Sequence, residues 1–277
     1  MMRLSTVLGL ALCAGLVVFT TGCAKLQSRD QMNQGVQAYK NNKYADAVKH
    51  FKEAVRLDPS NRNAQAYLAT SYFTQWVPGV DSPDNKKNYD MARQEFDRVL
   101  QEDPKDSLAL ASMAAMAFNS AQGAGTNMDQ KMAFLQDAAK WNQRRLEVDP
   151  KNSEAYYYLG VIDWTKAVAP LQTERVNEHL PPDYPGPLKD DKVKDDLKGK
   201  YWKDINDGID NLRKCLDYDK ENEDAMSYMN LLLREKGYLE DSPDASKADV
   251  AQAEDWSNKS LDMKRIKASR PAPKTQS

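Results

Sequence analysis

Two histidines and three cysteines are the scarcest reactive side chains in this 277-residue chain. Imidazole nitrogens and thiolates build zinc sites and nucleophile–base pairs, and both constructions need several such groups at short spacing. His50 and His179 lie far apart, and no Cys-x-x-Cys occurs. No metal, no cofactor and no catalytic residue is therefore expected. His50 precedes an apolar position of its segment and is expected to face solvent. The run Asp217-x-Asp219-x-Glu221 has the alternating carboxylates of a calcium loop. However, Asn222 stands where that turn needs glycine, and Tyr228 where a bidentate glutamate should close the site. Neither G-x-x-x-x-G-K-[ST] nor G-x-S-x-G is present, so phosphate-loop and nucleophile-elbow chemistry find no support.

Composition removes further classes. The chain carries 39 Lys and Arg against 41 Asp and Glu, a balance unsuited to nucleic acid, whose binders need a basic surface. Twelve glycines in 277 residues disfavour a turn-rich all-β fold. A mean hydropathy of −0.76 argues against many membrane spans. Three cysteines cannot all pair within one chain, which excludes a disulfide-stapled miniprotein. Residues 1–22 differ from the rest: Val7 to Phe19 is an uncharged apolar run after Arg3, shorter than the roughly 20 residues that span a bilayer. It ends in Phe19-Thr20-Thr21-Gly22-Cys23. That ending resembles the bacterial lipobox, with Thr20 where an aliphatic residue is usual. The resemblance implies a signal peptide at 1–22 and a lipidated Cys23. Several acyl chains hold a protein stably on a membrane where one does not. Ala24 after the cysteine favours the outer membrane over inner-membrane retention.

Four short sequences recur further on: Leu57-Asp58-Pro59-Ser60-Asn61, Glu102-Asp103-Pro104-Lys105-Asp106, Val148-Asp149-Pro150-Lys151-Asn152 and Tyr218-Asp219-Lys220-Glu221-Asn222. Proline stops one helix, and the final Asn or Asp can accept orphan N–H groups of the next. These are helix–turn–helix junctions, at unequal intervals. Between them, small and aromatic residues recur at helical spacing: Gly35, Tyr44, Ala47, Phe51 and Ala54; Leu68, Ala69, Tyr72, Tyr89, Ala92 and Phe96; Ala109, Met113, Ala114, Ala138, Trp141 and Leu146; Ala155, Leu159, Gly160, Leu212, Cys215 and Leu216; Ala225, Met229, Ala253, Trp256 and Leu261. Each set lies on one helical stripe. Cys215 is expected to be a buried small hydrophobe.

The first set, over residues 28–61, resembles the tetratricopeptide repeat, a hairpin of two helices. Later sets resemble it with insertions at Pro78–Pro83, at Ala121–Asn127 and around Pro181–Pro187. Both helices of the fourth hairpin are expected to run long, with the proline cluster at their tip. Val77-Pro78-Gly79, Tyr157 to Trp164 and Ala225 to Leu232 further resemble a group of tetratricopeptide lipoproteins common in acidobacteria. The implied fold is all-α, a right-handed superhelical solenoid of about five hairpins. Expected boundaries are a signal peptide at 1–22, a lipidated linker at 23–29, repeats over 30–266 and a disordered tail at 267–277.

The resemblance also implies a concave groove lined by the first helix of each hairpin. Mapped onto this chain, that face carries Tyr39, Tyr67, Phe73, Phe118, Tyr157, Tyr158, Trp164 and Tyr228. Aromatics give large contact area at low entropy cost. The carboxylate clamp of tetratricopeptide chaperone adaptors is absent, since Met32 and Val36 occupy its first positions. The expected function is a membrane-tethered scaffold or adaptor holding a protein or peptide partner in the bacterial envelope, on the outer membrane facing the periplasm. Roles in outer-membrane assembly or as a pilotin are alternative readings. An enzyme would need Asp163 and Glu154, the carboxylates beside the aromatic face. The long fourth hairpin is expected to offer a second contact surface.

Overall fold

The computed structural model describes residues 23–123, 125, 127–181 and 184–270. The expected signal peptide at 1–22 and the expected tail beyond Arg270 lie outside the described residues. All regular structure among them is helical: α1 (23–40), α2 (Tyr44–Leu57), α3 (Arg62–Gln75), α4 (Pro83–Glu102), α5 (Ser107–Gln122), α6 (Met128–Val148), α7 (Ser153–Asn177), α8 (Asp191–Tyr218), α9 (Glu223–Tyr238) and α10 (Pro243–Ser269). The stretch 23–29, expected as linker, is the start of α1, and α10 continues beyond residue 266. The chain divides into two compact units, Met1–Thr126 and Asn127–Ser277. Thus α1 to α5 belong to the first unit and α6 to α10 to the second.

The recurring five-residue sequences are built as expected. Asn61, Asp106, Asn152 and Asn222 each accept the backbone N–H three residues on, at 3.1, 2.8, 2.9 and 2.9 Å. Each cap satisfies one of the donors a helix start leaves orphaned. The preceding aspartates explain why that residue never varies. Asp58, Asp103, Asp149 and Asp219 accept the N–H two residues later at 3.0–3.2 Å, the side-chain turn that Asp favours.

In the first unit, Ala47, Phe51 and Ala54 of α2 are fully buried against α1. Gly35 permits that approach: a Cβ there would stand 2.6 Å from the Phe51 ring. His50 is half-buried rather than turned to solvent, with Nδ1 2.8 Å from Gln31 Oε1 of α1. The loop between α3 and α4 is clamped by Asn85, whose side chain donates to the Val77 and Val80 carbonyls and accepts the Val77 N–H.

In the second unit, α7 and α8 run long, at 25 and 28 residues, as does α10 at 27. α7 and α8 cross at two glycines. A Cβ on Gly160 would lie 2.5 Å from Leu212, and one on Gly208 3.1 Å from the Asp163 Cβ. α7 ends with His179 in the left-handed region (φ 55°), its ring against the Val176 carbonyl, while Leu180 N–H reaches back to Arg175 O. His179 therefore terminates a helix, where glycine is usual. The described part of the proline tip folds onto hairpin five. Leu188 is buried and its N–H donates to Tyr238 O at 2.9 Å; Ser246 Oγ donates to Pro185 O at 3.1 Å; Arg175 Nη2 donates to Pro181 O at 2.9 Å. On α10, Ala253 is buried and Trp256 half-buried, but Leu261 is 50% exposed. Ser260 faces inward in its place, donating to Glu223 O and meeting Ser227 Oγ.

Candidate partner-binding face

The eight aromatics fall in two groups. In the first unit, Tyr39 meets Thr74 Oγ1 through its hydroxyl at 3.0 Å and sets its ring edge-on to Tyr44. Tyr67 stacks on buried Phe51 at 5.3 Å and stays 39% exposed. Phe73 packs between Trp76 and the fully buried Phe96, and Trp76 leans on Tyr89. Phe118 is half-buried on α5. Phe73 packs on the core through Phe96, as Tyr157, Trp164 and Tyr228 pack on the core of the second unit.

In the second unit, the structure brings Tyr157, Tyr158 and Trp164 of α7 together with Tyr228 of α9. Centroids are 5.3 Å apart for Tyr157–Tyr158, 5.8 Å for Tyr157–Tyr228 and 5.3 Å for Trp164–Tyr228, all edge-to-face. That is the arrangement the ring quadrupoles favour. All four are half-buried. Burial, Tyr228 and then Asp224 raise the Tyr157 hydroxyl above its ordinary pKa, and burial followed by Asp224 does the same at Tyr228. The Trp164 indole N–H is enclosed without an acceptor among the described residues.

The two carboxylates that an enzyme would need are committed elsewhere. Glu154 is exposed and ion-paired to Arg145. Asp163 is buried beside Lys166 at 2.8 Å, and Lys166 also reaches Asp204 at 3.1 Å. Burial outweighs Lys166 at Asp163, whose carboxyl is pushed up to about 6. Burial opposes the Lys166 ammonium, yet the two aspartates prevail and raise its pKa. Lys166 and Asp204 line a groove of about 1070 Å³ with Asp129, Met132, Gln136 and Lys140. None of the eight aromatics lines it. Sequence reading missed this groove because its residues come from α6, α7 and α8 without a shared motif. Cys215 is fully buried, and burial pushes its thiol up to about 12. Among the described residues, no group of three His, Cys, Asp or Glu could hold a metal ion.

A family model described as tetratricopeptide repeat matches residues 32–107. Solved structures extend the likeness. A crystal structure of MamA aligns with a TM-score of 0.54 and 14% identity over 85% of this chain and 97% of its own. The MamA structure beginning at residue 41 from Desulfovibrio magneticus RS-1 gives 0.52 and 16% over 88% and 98%. No curated protein sequence matches.

The fold is that of tetratricopeptide proteins.

The helices on which the groove face is expected are α1, α3, α5, α7 and α9. All eight aromatics stand on these helices. Tetratricopeptide folds are protein-interaction scaffolds whose partners are proteins or peptides. Met32 of α1 lies 3.8 Å from Asn61 Nδ2, a thioether where a carboxylate clamp would carry lysine.

Proposed function

We propose that this protein is a membrane-tethered scaffold of the bacterial envelope that holds a protein or peptide segment against the inner faces of its tetratricopeptide hairpins. The observation that carries the reading is the half-exposed cluster of Tyr157, Tyr158, Trp164 and Tyr228, contributed by two successive first helices. Such rings concentrate binding energy at interfaces. Tethering rests on the sequence alone, on the apolar run that ends at Cys23. Among the described residues no helix is long and apolar enough to cross a membrane.

Two measurements test the two halves. Metabolic palmitate labelling should mark the wild type and not Cys23→Ser; equal labelling of both removes the anchor. In-cell photo-crosslinking from position 164 should capture a discrete species that Tyr157→Ala/Tyr228→Ala no longer captures, with circular dichroism unchanged. If helicity falls with those substitutions, the rings are core and the face is not a binding site.

A further inference from the structure

Aromatic rings in the second unit differ in whether the chain supplies them with a cation. Arg144 lies over Trp141, Lys198 and Lys236 over Trp202, Lys259 over Trp256, Lys214 over Tyr156, Lys189 over Tyr184 and Arg175 over Tyr238, at 4.2–5.5 Å from the centroids. The ring quadrupole attracts such cations, most strongly at tryptophan. Among the described residues, no lysine or arginine stands over Tyr157, Trp164 or Tyr228. The Tyr157 and Tyr228 hydroxyls also make no hydrogen bond there.

The carboxylates at the start of α9 show the same contrast. Glu221 holds Arg270 at 2.6 Å and Glu223 holds Lys267. Asp224, the next acidic residue, is exposed on the first turn of α9 and has no ion-pair partner among the described residues. It stands four residues before Tyr228 on α9, one turn away on the same helix face, and its charge reaches the hydroxyls of both Tyr157 and Tyr228. A first-turn aspartate suits the helix dipole on its own. The dipole does not account for rings left without a cation beside a carboxylate left without one. Arg234, towards the other end of α9, donates to Asn230 and its charge bears on Tyr238.

We propose that the α7–α9 face takes the arginine or lysine side chain of a basic, extended partner segment, its cation over the exposed faces of Tyr157, Trp164 and Tyr228 and paired with Asp224. This rests on the partner-binding reading above and names the chemistry of the partner. Charge complementarity selects a basic segment over an acidic one, and cation–π attraction selects it over an aliphatic one.

The test is selection of a phage-displayed dodecapeptide library on the purified full-length protein. Basic residues should be enriched in the binders, and Asp224→Lys should shift enrichment to aspartate and glutamate. By calorimetry, replacing the key arginine of a selected peptide with glutamine should weaken binding roughly threefold to tenfold, the scale of an exposed cation–π contact plus a surface ion pair. Asp224→Asn should weaken the arginine peptide similarly and leave the glutamine peptide unchanged. If no peptide is enriched, or binding survives Tyr157→Ala/Trp164→Ala with the fold intact, the binding-face reading fails and this inference with it. If peptides bind through the aromatic face without a basic preference, or Asp224→Lys leaves the preference as it was, the cation inference alone fails.

Discussion

Hairpin one and the pair formed by hairpins four and five bury different kinds of side chain. The α1–α2 seam is closed by Gly35, Ala47, Phe51 and Ala54, with Ser28 donating to the Ala54 carbonyl at 2.8 Å. Its residues are small or apolar, and one hydroxyl satisfies one carbonyl. Between α7, α8 and α9 the buried set includes Asp163, Arg175 and Glu235, with Lys166 nearly enclosed. Glu235 accepts from Gln172 Nε2 at 3.0 Å, while its second oxygen is buried without a donor among the described residues. Arg175 donates to Gln172 and Pro181 and lies over the Tyr238 ring. The difference follows from length. A short hairpin covers its neighbour with one apolar stripe. The long α7 and α8 instead carry polar turns back over α9, where each ionisable group must find a partner or change protonation.

The largest expected effect falls in the apolar region. Phe51→Ala should cost about 3–5 kcal/mol, the transfer loss of a buried ring plus the cavity left under Gly35 and Tyr67. Phe51→Ala leaves the titratable group of that seam, His50, on its Gln31 partner, so urea unfolding should give the same loss relative to wild type at pH 5 and pH 8. A loss below about 1 kcal/mol, or one that changes with pH, would break the comparison at its apolar end.

The polar region should respond to pH instead. Burial pushes the Glu235 carboxyl from 4.5 up to about 7, against Gln172 and Arg175, which favour the anion. An acid whose folded pKa is raised contributes stability that is complete below its unfolded value. That contribution is lost as pH rises through the folded one, here between about 4.5 and 7. The loss is on the order of 3 kcal/mol. Asp163 acts in the same sense over a lower window, from 3.8 to about 6. Glu235→Gln keeps an acceptor for Gln172 and removes the titration. Its stability relative to wild type should therefore improve by about that 3 kcal/mol between pH 4 and pH 8. Parallel pH curves for the two proteins would show that Glu235 does not titrate in this window.

These regions also differ in how well they could be read from the sequence. The four junction sequences place their helix boundaries because an Asp turn and a capping Asn or Asp act locally, with proline added in the first three. Gly35, Phe51, Gly160 and Cys215 follow from period and size. Gly208 was invisible, since nothing in the α8 sequence says which turn faces Gly160. Asn85 as a loop clamp, Ser246 against the tip and the Lys166–Asp204 contact were equally hidden, because each joins groups that only tertiary packing brings together. That the eight aromatics stand on the first helices could be read residue by residue. Which rings would meet could not, and neither could the docking of the proline tip on hairpin five.

Leu261 marks where residue type misleads, and it gives the smallest expected effect. Helical spacing from Trp256 and Ala253 reaches position 260, four and seven residues on, while the apolar residue stands one place later: Ser260 is 3% exposed and Leu261 is 50% exposed. The hydroxyl wins because Ser260 can meet Ser227 and the Glu223 carbonyl, at 2.8 and 2.9 Å, at a seam too polar for leucine. Leu261→Glu should accordingly change stability by no more than about 0.5 kcal/mol, the range of surface substitutions. Ser260→Leu, the swap that periodicity would endorse, should cost about 1–3 kcal/mol through overpacking, with the Ser227 hydroxyl still donating to the Glu223 carbonyl at 3.0 Å. Measured by the same urea unfolding, the reverse order of these two variants would return α10 to the apolar register and make hairpin five resemble hairpin one.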